Sequence, residues 1–447
     1  MLPANVRWTK VRNFYLNSKK KNKSEAKTLS FYECVRPVLL SCKLMGFLPL
    51  NGFVNTKHSG KSGLHHCSIL ITISRYNWMS LYTCFYLANV IWMTFCSLAK
   101  CVDKLAFGLG RKDISGIIFS MNTLFSSLSL MKLTPKWYET FQKIEDLENV
   151  LPNPKTLKPL KTIKRILFLI GTSALVEFAM YLVYTAYESS KGMKNMDFDY
   201  CFKRFFVYAY DWYFDHFPFQ CLIGIMLAAS KCQATCLRNL TDILVMSVTV
   251  YLCTRFTCFN HQLIQEEKKA KYTGFMPWSD LQKHYTQLTS LTLLLDEIIN
   301  PFIFISFSCN LIFICKQIFS VIQFVLSQQE MNLLPTNTEL EPLNRKLDWE
   351  PVVYLIFSTV FVIMRATMLS LFLAHHHTLT RAPLDILHTL PASAYNYKMQ
   401  RFMDQVFNSR LGLSGLKFFY VTRESILSVV ATLVKYELVL LQFPERE

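Results

Sequence analysis

The sequence predicts an all-α polytopic membrane protein with seven transmembrane helices, a cytoplasmic N-terminus and an extracellular C-terminus. Three observations carry this. Of 447 residues, 51% are hydrophobic, and the mean hydropathy is +0.22. Several apolar runs exceed the length of a buried core helix, and most lack the frequent charges that a soluble multi-domain chain would place there. The formal charge of +17 is concentrated ahead of the first run. Arg7, Lys10, Arg12, Lys19, Lys20, Lys21, Lys23 and Lys27 lead it, against Glu25 and Glu33 alone. A basic segment before the first span is what the positive-inside rule predicts for a cytoplasmic N-terminus. No aromatic-basic module accompanies it, so nucleic-acid binding is disfavoured.

Residues 1–76 are expected to form a cytoplasmic basic tail with an interfacial helix. Met1 to Ser30 lacks the apolar core of a cleavable leader, so the first span serves as its own insertion signal. Residues 31–53 are apolar but broken by Glu33, Arg36, Pro37, Lys43 and Pro49, which suits a helix on the inner leaflet. A Gly-, Ser- and Lys-rich linker follows.

Residues 77–374 are expected to hold six transmembrane helices forming a ligand-binding bundle. The first is 78–98, with Trp78 and Tyr82 at the interface. The second is 114–133, whose serines can hydrogen-bond between helices. Residues 135–165 read as a cytoplasmic helix broken at Pro152 and Pro154, then a basic lead-in. The third span, 166–187, contains Glu177. Residues 217–259 are too long for one simple span and are interrupted by Lys231, Arg238 and Asp242. They read as an outer helical half entering a fourth span at about residues 240–256. The fifth span is 301–326, with a helical lead-in at 281–299, and an acidic outer loop follows at 327–350. The sixth is 351–374 and carries Arg365.

Residues 375–412 are expected to be a cytoplasmic anchor segment with an amphipathic helix at 397–407. His375, His376 and His377 open it. Consecutive helical residues point in different directions, so metal binding by them is disfavoured. Residues 413–447 hold the seventh helix and the C-terminus. An inside N-terminus with seven spans is opposite to a G-protein-coupled receptor. The N-x-S/T sites, Asn22 and Asn239, mark no glycosylated outer N-terminus.

The chain has 14 cysteines and no CxxC pair. Cys232 with Cys236, and Cys253 with Cys258, fall in or near apolar helix, where thiols pack as small hydrophobes. Zinc is not expected. A disulfide between Cys101 and Cys201 stays open, since sequence gives no distance. No GxSxG, HExxH or Walker loop is present, so no enzyme is expected.

Charges at membrane depth need partners or water. Glu177, Asp242 and Arg365 stand out. Either Asp242 or Glu177 pairs with Arg365 or Arg238 and fixes packing, or these residues line a polyol pocket. Such a pocket needs buried acceptors and flat aromatic platforms. Glu177, Gln233, Asn239 and Asp242 could supply the first, and Trp212, Tyr213, Tyr181 and Phe217 the second. In the last helix, Lys435, Leu438 and Gln442 share one face. That face lines an aqueous path among subunits, or the helix is one more packed span with a snorkelling lysine.

The ending resembles the C-terminal signature of insect gustatory receptors: Thr-Tyr, five mostly apolar residues, then Gln-Phe. Tyr436, Gln442 and Phe443 match it, while Lys435 stands where the family usually has Thr. Tyr436 to Leu440, and Leu413 to Phe419 with Thr422 and Arg423, are similar to the sugar-receptor branch. Ala174-Leu175-Val176-Glu177 resembles its third-span motif. Gln233-Ala234-Thr235 with Asn239 and Asp242 resembles its fourth-span motif, with Arg238 where Trp is usual. Arg401-Phe402 resembles the lead into the last span.

The resemblance implies a sugar-gated cation channel of sweet taste in the plasma membrane of gustatory sensory neurons. It implies a homo- or hetero-tetramer with Tyr436, Leu438, Gln442 and Phe443 at the pore and gate. Sugars or other polyols, cations and lipids are its partners. No cofactor, metal, nucleic acid or G protein is needed. A seven-span chemoreceptor acting through a cytoplasmic partner is the alternative. A transporter is disfavoured, because no internal repeat or paired broken helices are found.

Overall fold

The computed structural model describes residues 30–48, 81–105, 111–152, 158–191, 198–273, 275–333, 349–390, 395–409 and 411–442. The basic tail at 1–29 and the linker at 49–80 lie outside the described residues. So do the outer-loop residues 334–348.

The described chain is helical apart from one small hairpin. The helices are α1 (Phe31–Leu44), α2 (Leu81–Leu105), α3 (Arg111–Val150), α4 (Lys158–Ser190), α5 (Phe198–Ala209) and α6 (Asp211–His216). α7 (Cys221–Thr273), α8 (Trp278–Leu333), α9 (Trp349–His388) and α10 (Tyr397–Asn408) follow. Strands β1 (Ser414–Gly415) and β2 (Phe419–Tyr420) then lead into α11 (Arg423–Gln442). Five stretches among the described residues are long and apolar enough to cross a membrane: Gly116–Thr134, Lys158–Ser190, Cys221–Ala270, Trp278–Ile322 and Val352–His388. A shorter apolar stretch, Cys84–Lys100, lies in α2. These positions coincide with the first six expected spans, and α11 coincides with the seventh.

Helix continuity departs from the expectation. The second span and the helix after it form one 40-residue helix, α3. α7 runs 53 residues and α8 runs 56, the latter through Pro301 and on to Leu333. α9 continues through the three histidines to His388. Polarity marks where the sequence leaves the apolar layer. It does not end a helix whose backbone bonds are satisfied along its own axis.

α1 packs into the bundle, against α7 and α4. Its buried residues include Val35, Val38, Leu39 and Cys42. Its C-terminus closes in a Schellman motif. Phe47 N–H donates to the Cys42 carbonyl at 2.9 Å and Gly46 N–H to that of Lys43 at 3.0 Å. Gly46 takes φ 82 there, a left-handed position that glycine occupies without steric cost. Its N-terminus is held by Glu148 of α3, which accepts from Phe31 N–H at 2.9 Å and Ser30 Oγ at 3.3 Å. The same carboxylate accepts from Tyr251 OH at 2.6 Å and Arg255 Nη2 at 2.8 Å. A buried acid thus caps one helix and neutralises a cation on another. Burial, then the charges of Glu148 and Glu33, push the Cys34 thiol up to about 12, so it packs there as a neutral thiol.

α2 and α3 are joined by hydroxyls. Tyr86 OH and Ser127 Oγ lie 2.6 Å apart, and Ser97 Oγ and Ser120 Oγ 2.7 Å. α10 is the expected amphipathic helix. Asn396 caps it by accepting from Met399 N–H at 2.9 Å, and Met399, Phe402 and Val406 are buried. The hairpin docks on α8. Asp296 accepts from Ser414 N–H at 2.7 Å and Ser414 Oγ at 2.8 Å. Its turn closes through Phe418 N–H to the Gly415 carbonyl at 2.9 Å, with Leu416 at φ 48 and Lys417 at φ 63. α11 leaves the hairpin and packs against α8 and α9, yet Leu427 remains 71% exposed.

Replacing Glu148 with Ala removes the carboxylate that faces the buried Arg255 guanidinium and leaves α1 without its cap. The expected loss is about 3–5 kcal/mol, read as a lower melting temperature of detergent-purified protein and reduced surface expression. An unchanged melting temperature would show that α1 is held by packing alone.

Candidate functional site

Four helices carry a polar stripe at helical spacing through otherwise apolar sequence. On α4 it is Glu177, Tyr181 and Tyr184. On α7 it is Lys231, Thr235, Arg238, Asn239 and Asp242. On α8 it is Ser306, Asn310 and Gln317, and on α9 Tyr354, Ser358 and Arg365. Each spacing returns the side chain to one face about every 3.6 residues. The bundle turns these stripes inward.

Arg365 is fully buried at 0% exposure, and Asp242 is 1% exposed. Arg365 Nε approaches Asp242 Oδ2 at 3.0 Å, as an ion contact whose angle falls outside hydrogen-bond geometry. Arg365 Nη2 donates to Asn310 Oδ1 at 2.8 Å, and Nη1 to Asn239 Oδ1. Ser306 Oγ donates to the other oxygen of Asp242. The guanidinium also lies over the Phe361 ring at 5.6 Å. One cation therefore joins α7, α8 and α9.

Glu177 forms a second centre, two turns along α9. It is 9% exposed and accepts from Ser358 Oγ at 2.9 Å. Gln317 Nε2 donates to the same Ser358 hydroxyl at 2.9 Å. Above it stand aromatic platforms. Tyr184 stacks on Tyr354 at 5.2 Å and 15°, and Tyr181 lies 6.3 Å from Tyr354. Lys231 donates to Tyr181 OH and sits over its ring at 4.0 Å. Carboxylate, amide, hydroxyl, ammonium and phenol groups are thus gathered beside flat rings, the donor and acceptor set that a polyol uses.

The candidate residues separate in space. Asp242 and Asn239 meet at Arg365, and Glu177 stands at the Ser358 end. Gln233 points elsewhere. Its amide reaches the Met45 carbonyl at 3.5 Å. It lines a cavity of about 10 Å³ with Asn89, Phe119, Ser120 and Thr123, the room one water needs. Tyr213 stacks on Phe217 at 5.0 Å and meets Trp92 edge-on at 6.4 Å, in an outer aromatic cluster. Phe217 itself is exposed.

Several expected positions fall outside what is described. The side chains of Trp212, Cys101, Tyr436, Leu438 and Gln442 lie outside the described residues, as does Phe443 altogether. Cys201 is a free thiol. Lys435 is exposed on α11. His376 is buried against Phe256 at 5.4 Å while His375 is exposed, so the three histidines do not converge. Ser306, Asn310, Gln317, Tyr354 and Ser358 were not singled out from the sequence. Their signal was the polar stripe itself, which is visible on α8 and α9 once Arg365 is taken as its end.

The trehalose receptor family model matches residues 15–333 and 338–447. The Drosophila melanogaster gustatory receptor 5a for trehalose is 24% identical over 427 residues, covering 93% of this chain and 86% of that protein. The gustatory receptor for sugar taste 64f from the same organism is 25% identical over 425 residues, covering 93% and 81%. The fold is similar to the insect olfactory receptor OR5 from Machilis hrabei, with a TM-score of 0.59 at 12% identity, covering 91% of this chain and 97% of that one. Its complex with eugenol gives the same TM-score at 13% identity. These proteins are receptors, not enzymes, and they are multi-pass membrane proteins. On the span of the match, the chain belongs to the insect gustatory receptor family, in its sugar-receptor branch.

Proposed function

We propose that this chain is a gustatory receptor for sugars acting as a ligand-gated cation channel in the plasma membrane of gustatory sensory neurons. The observation that carries the reading is the hydroxyl, amide and carboxylate network that α4, α7, α8 and α9 bury inside an apolar bundle. Polar groups at membrane depth pair with one another or face water, and they commonly mark ligand or ion sites. Glu177, Ser358 and Gln317 accept and donate to ligand hydroxyls, and Tyr181, Tyr184 and Tyr354 receive the sugar's C–H faces. Asn239 and Asp242 hold the floor through Arg365. Gln233 and Tyr213 stand apart from this network.

The mechanism is a population shift. Ligand prefers the open arrangement and moves the equilibrium by its differential affinity for the two states. α8 and α9 line the site and also pack against α11, so a change in their spacing reaches the last helix directly. Residues 1–76 form the cytoplasmic tail, 77–374 the ligand-binding bundle, 375–412 the cytoplasmic anchor and 413–447 the pore helix with an outer C-terminus. The exposed apolar face of α11, with Leu427 and Val429, suits contact with further subunits in a homo- or hetero-tetramer. Tyr436, Leu438, Gln442 and Phe443 then approach a central path, where a ring of Phe closes by dewetting.

Sugar-evoked cation current from purified protein in lipid vesicles tests this. Current without added cytoplasmic factors supports the channel, and silence there with a response in cells favours a receptor acting through a partner. Glu177→Gln is expected to weaken the ligand response at least about tenfold, the worth of a charged hydrogen bond, with surface expression kept. Loss of expression instead would assign Glu177 to packing. Phe443→Ala is expected to raise ligand-free current; Lys435→Thr raises cation conductance if the ammonium faces the path and changes little if it is turned off the axis. Unchanged currents in both variants would move the conducting path away from α11. An epitope at Met1 should be reached only after permeabilisation, and one after Glu447 without it. The reverse labelling overturns the topology.

A further inference from the structure

The buried centre holds more cation than carboxylate. Among the described residues, Lys231, Arg238 and Arg365 face it, against Glu177 and Asp242. Asp242 is committed to Arg365 and Ser306. Glu177 is committed to the neutral Ser358 hydroxyl. Acids nearer the outer ends are engaged elsewhere, Glu188 with Lys191 at 2.9 Å and Asp211 with Lys100 at 2.8 Å.

Arg238 is the sharpest case. It is 9% exposed, and its Nε is buried with no hydrogen-bond partner. Its guanidinium lies 4.9 Å from the Phe313 ring and 6.0 Å from the Phe119 ring. Cation–π contact offsets part of the desolvation, but it leaves the Nε donor unmade. Two turns earlier on the same face of α7, Lys231 meets, among the described residues, the phenol and ring of Tyr181 and the ring of Tyr210 at 5.9 Å. Among the described residues, the unmet groups of Arg238, Arg365 and Asp242 are donors except the Asp242 oxygen facing Arg365. An anion is the ligand chemistry that completes such a set.

We infer that the ligand of this chain carries a carboxylate as well as hydroxyls, a sugar acid of the uronic or aldonic kind, with Arg238 and Lys231 accepting its charge. This rests on the polyol reading above and narrows its substrate class. The hydroxyl network at Glu177 and Ser358 would hold the polyol end, and the α7 cations the carboxylate end. An inorganic anion bound beside a neutral sugar would satisfy the same donors, and the test separates the two.

The probes are glucuronate, its uncharged methyl ester, gluconate and glucose, with binding measured on full-length protein in lipid nanodiscs. Glucuronate or gluconate is expected to bind on the order of tenfold more tightly than the ester and glucose, the worth of a hydrogen bond to a charged group. Arg238→Met should abolish that preference, and Arg238→Lys should keep part of it. Should the variants fail to fold, the acid and ester compared on the unaltered protein still decide. Equal binding of acid, ester and glucose overturns the inference and leaves the polyol reading standing. Binding of none overturns both. Glucose binding that disappears when chloride is replaced by methanesulfonate assigns Arg238 to an inorganic anion, and overturns the carboxylate assignment.

Discussion

The packing of the bundle turns on one buried guanidinium. Arg365 lies at membrane depth with no exposure, where an unpaired charge is prohibitive. Asp242 and Asn239 must therefore come from α7, and Asn310 from α8. Each contact sets the rotation of its helix about its own axis, because a shift of one residue turns a side chain by about 100°. Ser306 completes the second oxygen of Asp242. The pair adds little net stability over an apolar substitute, but its geometry selects one register for three helices.

A second node performs the same task about three turns further along α7. Glu148 gathers α1, α3 and α7 through Phe31, Tyr251 and Arg255. The long helices carry this order outward, and aromatic packing of Tyr285, Phe259 and Phe402 seats α10. The hairpin is held to α8 by Asp296, beside Pro301. Gly415 has no room for a side chain, since an added Cβ would lie 2.5 Å from the Phe419 ring. The last helix leaves the hairpin and packs against α8 and α9.

The floor of the site is the Arg365–Asp242 ion cluster, and its wall holds the Arg238 Nε donor with no partner among the described residues. The Arg238 guanidinium lies over two Phe rings and the Lys231 ammonium over the Tyr181 ring, so this face of α7 presents cations held against aromatic platforms.

Composition and periodicity settle the class of this protein, the placement of its apolar stretches, the amphipathic α10 helix, and the charges that need partners. They do so because hydropathy and the 3.6-residue period are local properties. Whether Asp242 or Glu177 would meet Arg365 was open in the sequence, and only the bundle chose Asp242. Gln233 and Glu177 looked like members of one pocket, yet the turn of α7 sends Gln233 toward α2 and α3. Ser306, Asn310, Gln317 and Ser358 gained meaning only when three helices met. A helix pattern fixes which face a side chain occupies. Which neighbour that face meets depends on contacts between segments a hundred or more residues apart, such as Asn239 with Arg365 and Ser358 with Glu177, and those are decided by packing.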